Sequence, residues 1–356
     1  MNKRLNFIGV ATMYVGVIMG AGFASGRECW QFFGIFGSKG YIGIILNGIG
    51  FLLIAAMLNY VAISKNTIML GELISPFKSV RLSKAIGVIL AFIYYTMLIA
   101  MSSAGGALVN QVFGIPQWIG GGIITVLTLL TVLGDFSRVS EVFKRFVPML
   151  FAICILAIIL VLSVHTDAPA GKSFKPGGIS PNWQLSALLF LSYNSLGMIA
   201  MAGSSAVNAK NSKHAYLGAA LGLAFLTGLT LMLLTVLLKG PEYSSTLGLP
   251  MVGWASLVNR KFGYIYAVAL MGAIYQTSCS TYYGFSTTIK KGKYKKYVLI
   301  VGAVIGFVLG LTDFKDIVGV LYPAQGYIGW LILLLISLNF FNELINNTRI
   351  VNNELK

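Results

Sequence analysis

Apolar residues run along this chain in blocks of roughly twenty, each closed by a short polar or basic patch, and that spacing predicts membrane-spanning helices. Ten such runs are centred on residues 6–36, 41–63, 84–112, 117–133, 146–164, 185–207, 214–238, 262–289, 297–312 and 317–340. Two of them are interrupted. In the first, Gly20-Ala21-Gly22-Phe23-Ala24-Ser25-Gly26 places three glycines and a serine where a helix needs its best formers, since each interior glycine costs about 1 kcal/mol relative to alanine. In the sixth, Ser192-Tyr193-Asn194-Ser195-Leu196-Gly197 sets a polar cluster in an apolar helix. Backbone released from a helix inside a bilayer must find other partners or line a wet cavity, so matched interruptions predict a binding site between the two spans.

The longest connections, 64–83, 165–184 and 239–261, organise the ten runs. The first and third occupy equivalent places in two sets of five helices. Because five is odd, the second set crosses the membrane inverted relative to the first, an arrangement common in secondary transporters. The chain therefore divides into a first repeat (1–164), an external connecting loop (165–184), a second repeat (185–341) and a short polar cytoplasmic tail (342–356), expected to fray. Gly16 and Gly20 are also spaced for close helix packing. So are Gly218/Gly222 and Gly302/Gly306/Gly310, which lack polar neighbours and are assigned to packing alone.

Composition agrees with the pattern: 57% of the 356 residues are hydrophobic, 10% are charged, and the mean hydropathy is +0.82. An ordinary soluble domain is excluded. The net charge of +16 orients the chain instead of pointing to nucleic acid: with the N-terminus inside, 18 of the 26 Lys and Arg residues fall on the cytoplasmic side. The other eight, Lys172 among them, fall outside. The positive-inside rule therefore predicts a multi-pass protein of the cell membrane with both termini cytoplasmic.

Enzymatic chemistry has little to stand on. The three cysteines, Cys29, Cys154 and Cys279, lie in or beside apolar runs and read as small core residues, and His165 and His214 sit at span edges without metal-ligand spacing. Acidic residues concentrate in loops and span edges, with Glu28 closest to the first interruption, so neither a carboxylate pair nor a nucleophile–base set is available. No catalytic residue, resident metal or organic cofactor is expected. In the eighth run, Gln276-Thr277-Ser278-Cys279-Ser280-Thr281 offers hydroxyls that either return bonds to their own helix or present neutral oxygens to a hard cation such as sodium.

The stretch Gly20 to Gly26 followed by Arg27-Glu28-Cys29-Trp30-Gln31-Phe32-Phe33-Gly34 resembles the signature of the bacterial YkvI-like membrane proteins, within the amino acid-polyamine-organocation superfamily. The resemblance spans the whole chain. It implies an all-α protein with a LeuT-like five-plus-five inverted repeat, broken first and sixth helices, and secondary transport of an amino acid or related carboxylate. By the same resemblance Gly20, Ala21, Gly22 and Ser25 present backbone to a solute carboxylate, with Ser192, Tyr193, Asn194 and Ser195 at its other end and Ser102 of the third span facing the site. Gly16 and Met19 carbonyls with Thr277 and Ser278 hydroxyls match a sodium site. Arg27 matches an outer gate that pairs with Asp313 or Asp316, against a local pair with Glu28. No Asp and no obvious Lys appears at membrane depth, so a charge-based proton site is not evident and sodium is favoured over a proton. The expected partners are a small solute and the lipid bilayer. A receptor or scaffold without transport is the alternative class, and a channel comes third.

Overall fold

The computed structural model describes residues 4–77, 79–134, 136–164, 168–169, 180–289 and 292–354. Most of the 165–184 connection, including Lys172 and His165, lies outside the described residues, as do Lys3, Lys78, Lys290, Lys291 and Lys356. Among the described residues the chain forms fifteen α-helices and a 3-10 turn (Gly34–Phe36). In order the helices are α1 (Phe7–Ile18), α2 (Ala21–Ala24), α3 (Arg27–Phe32), α4 (Lys39–Lys65), α5 (Leu70–Ile74), α6 (Val80–Phe113), α7 (Gln117–Leu133) and α8 (Phe136–Ser163). They continue with α9 (Trp183–Asn208), α10 (Ser212–Leu238), α11 (Pro241–Thr246), α12 (Pro250–Val258), α13 (Arg260–Thr288), α14 (Lys293–Leu309) and α15 (Phe314–Glu354). Each of the ten apolar runs coincides with one long helix or, for the first, with the α1–α3 series. Helical stretches 39–65, 84–113, 212–238 and 314–348 are each long and apolar enough to cross a bilayer unaided.

The helices sort into two packed groups. One is formed by α1, α4, α9 and α10; the other by α6, α7, α13 and α14. Glycines set the approach within each group. A Cβ at Gly222 would lie 2.7 Å from the Ala11 carbonyl oxygen, and one at Gly218 would lie 2.5 Å from Val10 Cβ, so α10 meets α1 backbone to backbone. In the second group a Cβ at Gly120 would lie 2.4 Å from the Gly105 carbonyl oxygen. Packing is thus what the small residues of α10 do. The long connections carry structure of their own: α5 follows the second span of the first half, and α11 and α12 follow the second span of the second half.

Two features depart from expectation. The sixth span does not unwind at Ser192–Gly197. It stays helical there, where Ser192, Asn194 and Ser195 each return a bond to their own helix, and bends by 48° between segments ending at Ile199 and starting at Met201. The polar end from Asn342 is helical through Glu354 instead of frayed. Asn347 Nδ2 donates to Tyr60 Oη (3.2 Å) and Ser64 Oγ (2.8 Å), Ser64 Oγ donates to Glu343 Oε1 (2.6 Å), and Lys65 pairs with Glu343 at 3.9 Å. These contacts tie the last turns of α15 to α4.

Candidate functional site

The first span breaks twice within eight residues, and the sequence explains both breaks. At the first, the Gly20 amide donates to the Ile18 carbonyl (2.9 Å) instead of to Gly16 four residues back, and Gly20 is extended at φ −82°, ψ −172°. The Gly16 carbonyl thereby loses the amide that a continuous helix would supply. Helix restarts as Ala24 N–H bonds to the Gly20 carbonyl (3.0 Å). At the second break Gly26 takes the left-handed conformation (φ 79°), open to glycine at no steric cost. Its would-be Cβ also falls 2.9 Å from Met251 Cγ.

Groups from the other elements satisfy the released backbone. Tyr266 Oη of α13 donates to the Ala24 carbonyl at 2.5 Å, and the Met251 amide of α12 donates to the Ser25 carbonyl at 2.9 Å. Ser25 Oγ donates to the Gly22 carbonyl (2.7 Å) and accepts from the Arg27 amide (3.1 Å). Each bond contributes on the order of 1 kcal/mol net, and leaving its acceptor bare would cost more. Ser25 is therefore fully engaged as a turn former.

Glu28 is the group the sequence did not place. It is 4% exposed, and its side chain folds back over the restarted turn: a Cβ built on Gly22 would lie 1.8 Å from Glu28 Oε1, 2.5 Å from Cδ and 2.9 Å from Cγ. Gly22 thus makes room for this carboxyl group. Tyr193 Oη of α9 donates to Glu28 Oε1 at 3.3 Å, and the Tyr193 ring stacks on Tyr322 of α15 (4.9 Å between centroids). An acidic side chain therefore sits buried within the broken span, not in a local pair with Arg27. Its only sequence signal is position: Glu28 comes two residues after Gly26, the left-handed residue that opens α3.

Arg27, 6% exposed, turns away from Glu28. Its Nη1 donates to the carbonyls of Ser245 (3.2 Å) and Leu247 (3.3 Å), and Nη2 donates to Gln31 Oε1 (3.4 Å). The α11–α12 segment that offers these carbonyls is pinned to α6 by Gln111, whose amide both donates to the Leu249 carbonyl (3.0 Å) and accepts from its N–H (3.1 Å). A local Arg27–Glu28 pair is thus absent. Asp313 is engaged by Gln117 Nε2 (3.1 Å), and Asp316 is exposed, its field reaching Arg27 without an ion pair. Leu247, whose carbonyl accepts from Arg27, also lines a cavity of about 250 Å³ together with Asn110, Gln111, Gln117, Asp313 and Lys315.

The remaining predicted residues divide. Thr277 faces the first break, its Oγ1 3.8 Å from the position of a Gly20 Cβ, while Gly16 has open space beside it. Ser278 is turned to α7, where Thr128 Oγ1 donates to its hydroxyl at 2.8 Å. Met19 is buried at the end of α1, its amide bonded to the Val15 carbonyl (2.9 Å). Ser192 Oγ reaches the carbonyls of Leu188, Leu189 and, at 2.7 Å, Gly326 of α15. Asn194 and Ser195 bond to the carbonyls of Phe190 (3.1 Å) and Leu191 (2.6 Å) of their own helix. Ser102 lies between α6 and α7, bonded to the Gly121 carbonyl (3.3 Å) and to Thr125 (3.1 Å). The structure therefore brings Gly20 and Thr277 together at the end of α1, beside Met19 and one turn beyond Gly16, and Gly22, Glu28 and Tyr193 together nearby, while Ser102, Ser192 and Ser278 bond across helices and Asn194 and Ser195 bond to their own helix.

Among the described residues no cluster of three or more His, Cys, Asp or Glu could hold a metal, and the three cysteines are buried and unpaired.

Comparison with known proteins places this architecture. No family model matches the chain. It is 24% identical over 330 residues to the Bacillus subtilis membrane protein YkvI, covering 90% of this chain and 92% of that one. It is 23% identical over 332 residues to the Bacillus subtilis protein YyaD, covering 92% and 94%. Among solved structures, the Eremococcus coleocola manganese transporter superposes with a TM-score of 0.56 at 13% identity, covering 94% of this chain and 85% of that one. The inward-facing conformation of Mhp1 gives 0.55 at 11% identity, covering 94% and 78%. The chain is thus similar to YkvI and YyaD along nine-tenths of its length and shares the LeuT fold, a multi-pass membrane architecture, with these solved structures.

Proposed function

We propose that the protein is a secondary active transporter that moves a small solute, an amino acid, across the cell membrane by rocking one four-helix group against the other. The observation that carries this reading is the double break of the first span, set where α2 touches α13 between the two groups. Interrupted helices at such a junction can present backbone and polar side chains to a solute, and relative motion of the two groups exposes the site to either side in turn. The fold shared with two solved transporters supports the same conclusion.

Sodium is the proposed coupling ion. A hard cation takes neutral oxygens, and the Gly16 and Met19 carbonyls with Thr277 Oγ1 are the set nearest the break. Ser278, already bonded to Thr128, is the weaker of the two hydroxyl candidates. The solute's carboxylate is assigned to the start of the restarted turn, around Ala21. Arg27, bonded to the carbonyl of Leu247 at the wall of the 250 Å³ cavity, is the proposed outer gate, and both termini are assigned to the cytoplasm on the charge asymmetry.

The test is current from proteoliposomes on a solid-supported membrane, challenged in turn with the twenty amino acids with and without a sodium gradient. At least one amino acid should evoke current that sodium enhances. No amino-acid-dependent current in any ionic condition, from protein that is folded and correctly inserted, would remove the transporter reading. Current that follows a proton gradient and ignores sodium would remove the sodium site.

A further inference from the structure

Glu28 stands apart from the other acidic groups among the described residues. It is buried in the broken span, against Gly22, with the Tyr193 hydroxyl as its hydrogen-bond donor. The cations are elsewhere: Arg27 is committed to the carbonyls of α11–α12 and to Gln31, and the one ion pair among the described residues, Lys65–Glu343, is at the far end of α4. The titratable groups that face Glu28 are Tyr193 of α9 and Tyr322 of α15, with Cys29 beside it on α3. None of these supplies positive charge. An ionised carboxylate enclosed without a counter-charge is strongly unfavourable, and its burial is tolerated only when the group is neutralised or paired.

Two species can meet that requirement in a site that opens to water and closes again. A proton from water converts the carboxylate to the neutral acid, which still accepts the Tyr193 hydroxyl. A solute ammonium instead leaves the carboxylate charged and pairs with it. The two are mutually exclusive on one group. We propose that Glu28 is the counter-charge for the ammonium group of the transported solute, and that a proton takes the ammonium's place when the site closes empty. This deepens the amino acid assignment and rests on it: the solute must carry a cationic nitrogen, and the empty carrier returns with a proton.

The experiment uses the full-length protein in detergent and dicyclohexylcarbodiimide, which reacts with protonated carboxyl groups in apolar surroundings, with adduct read by mass spectrometry of the Glu28 peptide. Without solute, Glu28 should be modified in mildly acidic buffer and progressively less as pH rises, and Glu28→Gln should give no adduct at this position. Each of the twenty amino acids, its decarboxylated amine and its deaminated acid then serves as a protecting probe. At ten times its dissociation constant an ammonium-bearing ligand should lower the modified fraction roughly tenfold by simple mass action. Absence of the adduct at every pH would overturn the proton half of the proposal. Protection by deaminated acids but by no ammonium compound, or by no probe at all, would overturn the ammonium half. Modification with protection but without solute-evoked current sinks the transporter reading and leaves Glu28 assigned; amino-acid current with Glu28 never modified does the reverse.

Discussion

Gly22→Ala tests the local geometry of the break with one methyl group. The new Cβ would stand 1.8 Å from Glu28 Oε1 and 2.5 Å from Cδ. Ordinary contact for such atoms is about 3.5 Å, so the carboxyl group must retreat by roughly 1.5 Å, far enough to break its 3.3 Å bond from Tyr193. The loss of that bond costs about 1–3 kcal/mol, and forcing the displaced group into enclosed packing costs another 1–3 kcal/mol or so. The better helix propensity of alanine returns at most about 1 kcal/mol. The net expectation is a destabilisation of about 1–5 kcal/mol, measured by SDS-titrated unfolding in mixed micelles. Truncating Glu28 removes the obstacle, so Gly22→Ala should be better tolerated in a Glu28→Ala background, with a coupling between about 0.5 and 3 kcal/mol in the double-mutant cycle. Gly228→Ala is the control, because nothing lies within 4 Å of its Cβ position. Stability of Gly22→Ala within about 0.5 kcal/mol of the parent, together with additive effects, would refute the placement of Glu28 over Gly22.

Three further predictions follow from the same geometry. Thr277→Ala should raise the sodium concentration needed for half-maximal current several-fold, whereas Ser278→Ala should leave it nearly unchanged and instead loosen the α7–α13 contact through Thr128; equal effects on sodium activation would remove the distinction. A double-mutant cycle on uptake should couple Arg27 to Asp316 by more than about 0.5 kcal/mol and leave Arg27 and Asp313 additive, since Gln117 holds Asp313; coupling to Asp313 alone would reverse the gate assignment. Single cysteines replacing the exposed Lys39 and Lys213 should react with an impermeant maleimide from opposite sides of intact cells and inverted vesicles, Lys39 from outside; reaction from one side for both would overturn the topology.

The long elements of this fold were legible because a bilayer demands long apolar runs. Residues 117–133 show it best: the predicted run and α7 have the same bounds. The first break was legible too, since Gly20 and Gly26 stand where helix formers belong and adopt the extended and left-handed conformations glycine permits. The sixth span was harder. Serine and asparagine in a membrane helix announce either a binding site or bonds to their own backbone, and sequence alone does not separate the two. Ser192, Asn194 and Ser195 take the second course, and the bend falls past them. Glu28 escaped for the opposite reason. Its neighbour Arg27 made the pair look like an exposed span edge, while the direction of α3 after Gly26 buries both side chains and sends them to different partners. The polar tail misled in the same way, because its bonds to Tyr60 and Ser64 come from a helix nearly three hundred residues earlier in the chain.

Alternating access around the first break is tested most directly with one cysteine at Val17, whose Cγ2 lies 3.8 Å from the Cβ position of Gly197 on α9, after Cys29, Cys154 and Cys279 are replaced by alanine. In sealed proteoliposomes of defined orientation, Val17→Cys should react with impermeant reagents from either side, with solute and sodium speeding one side while slowing the other. Reaction from one face only, unmoved by any amino acid, would contradict transport and favour a receptor. Reaction from both faces at rates that rise together would indicate a continuous pore.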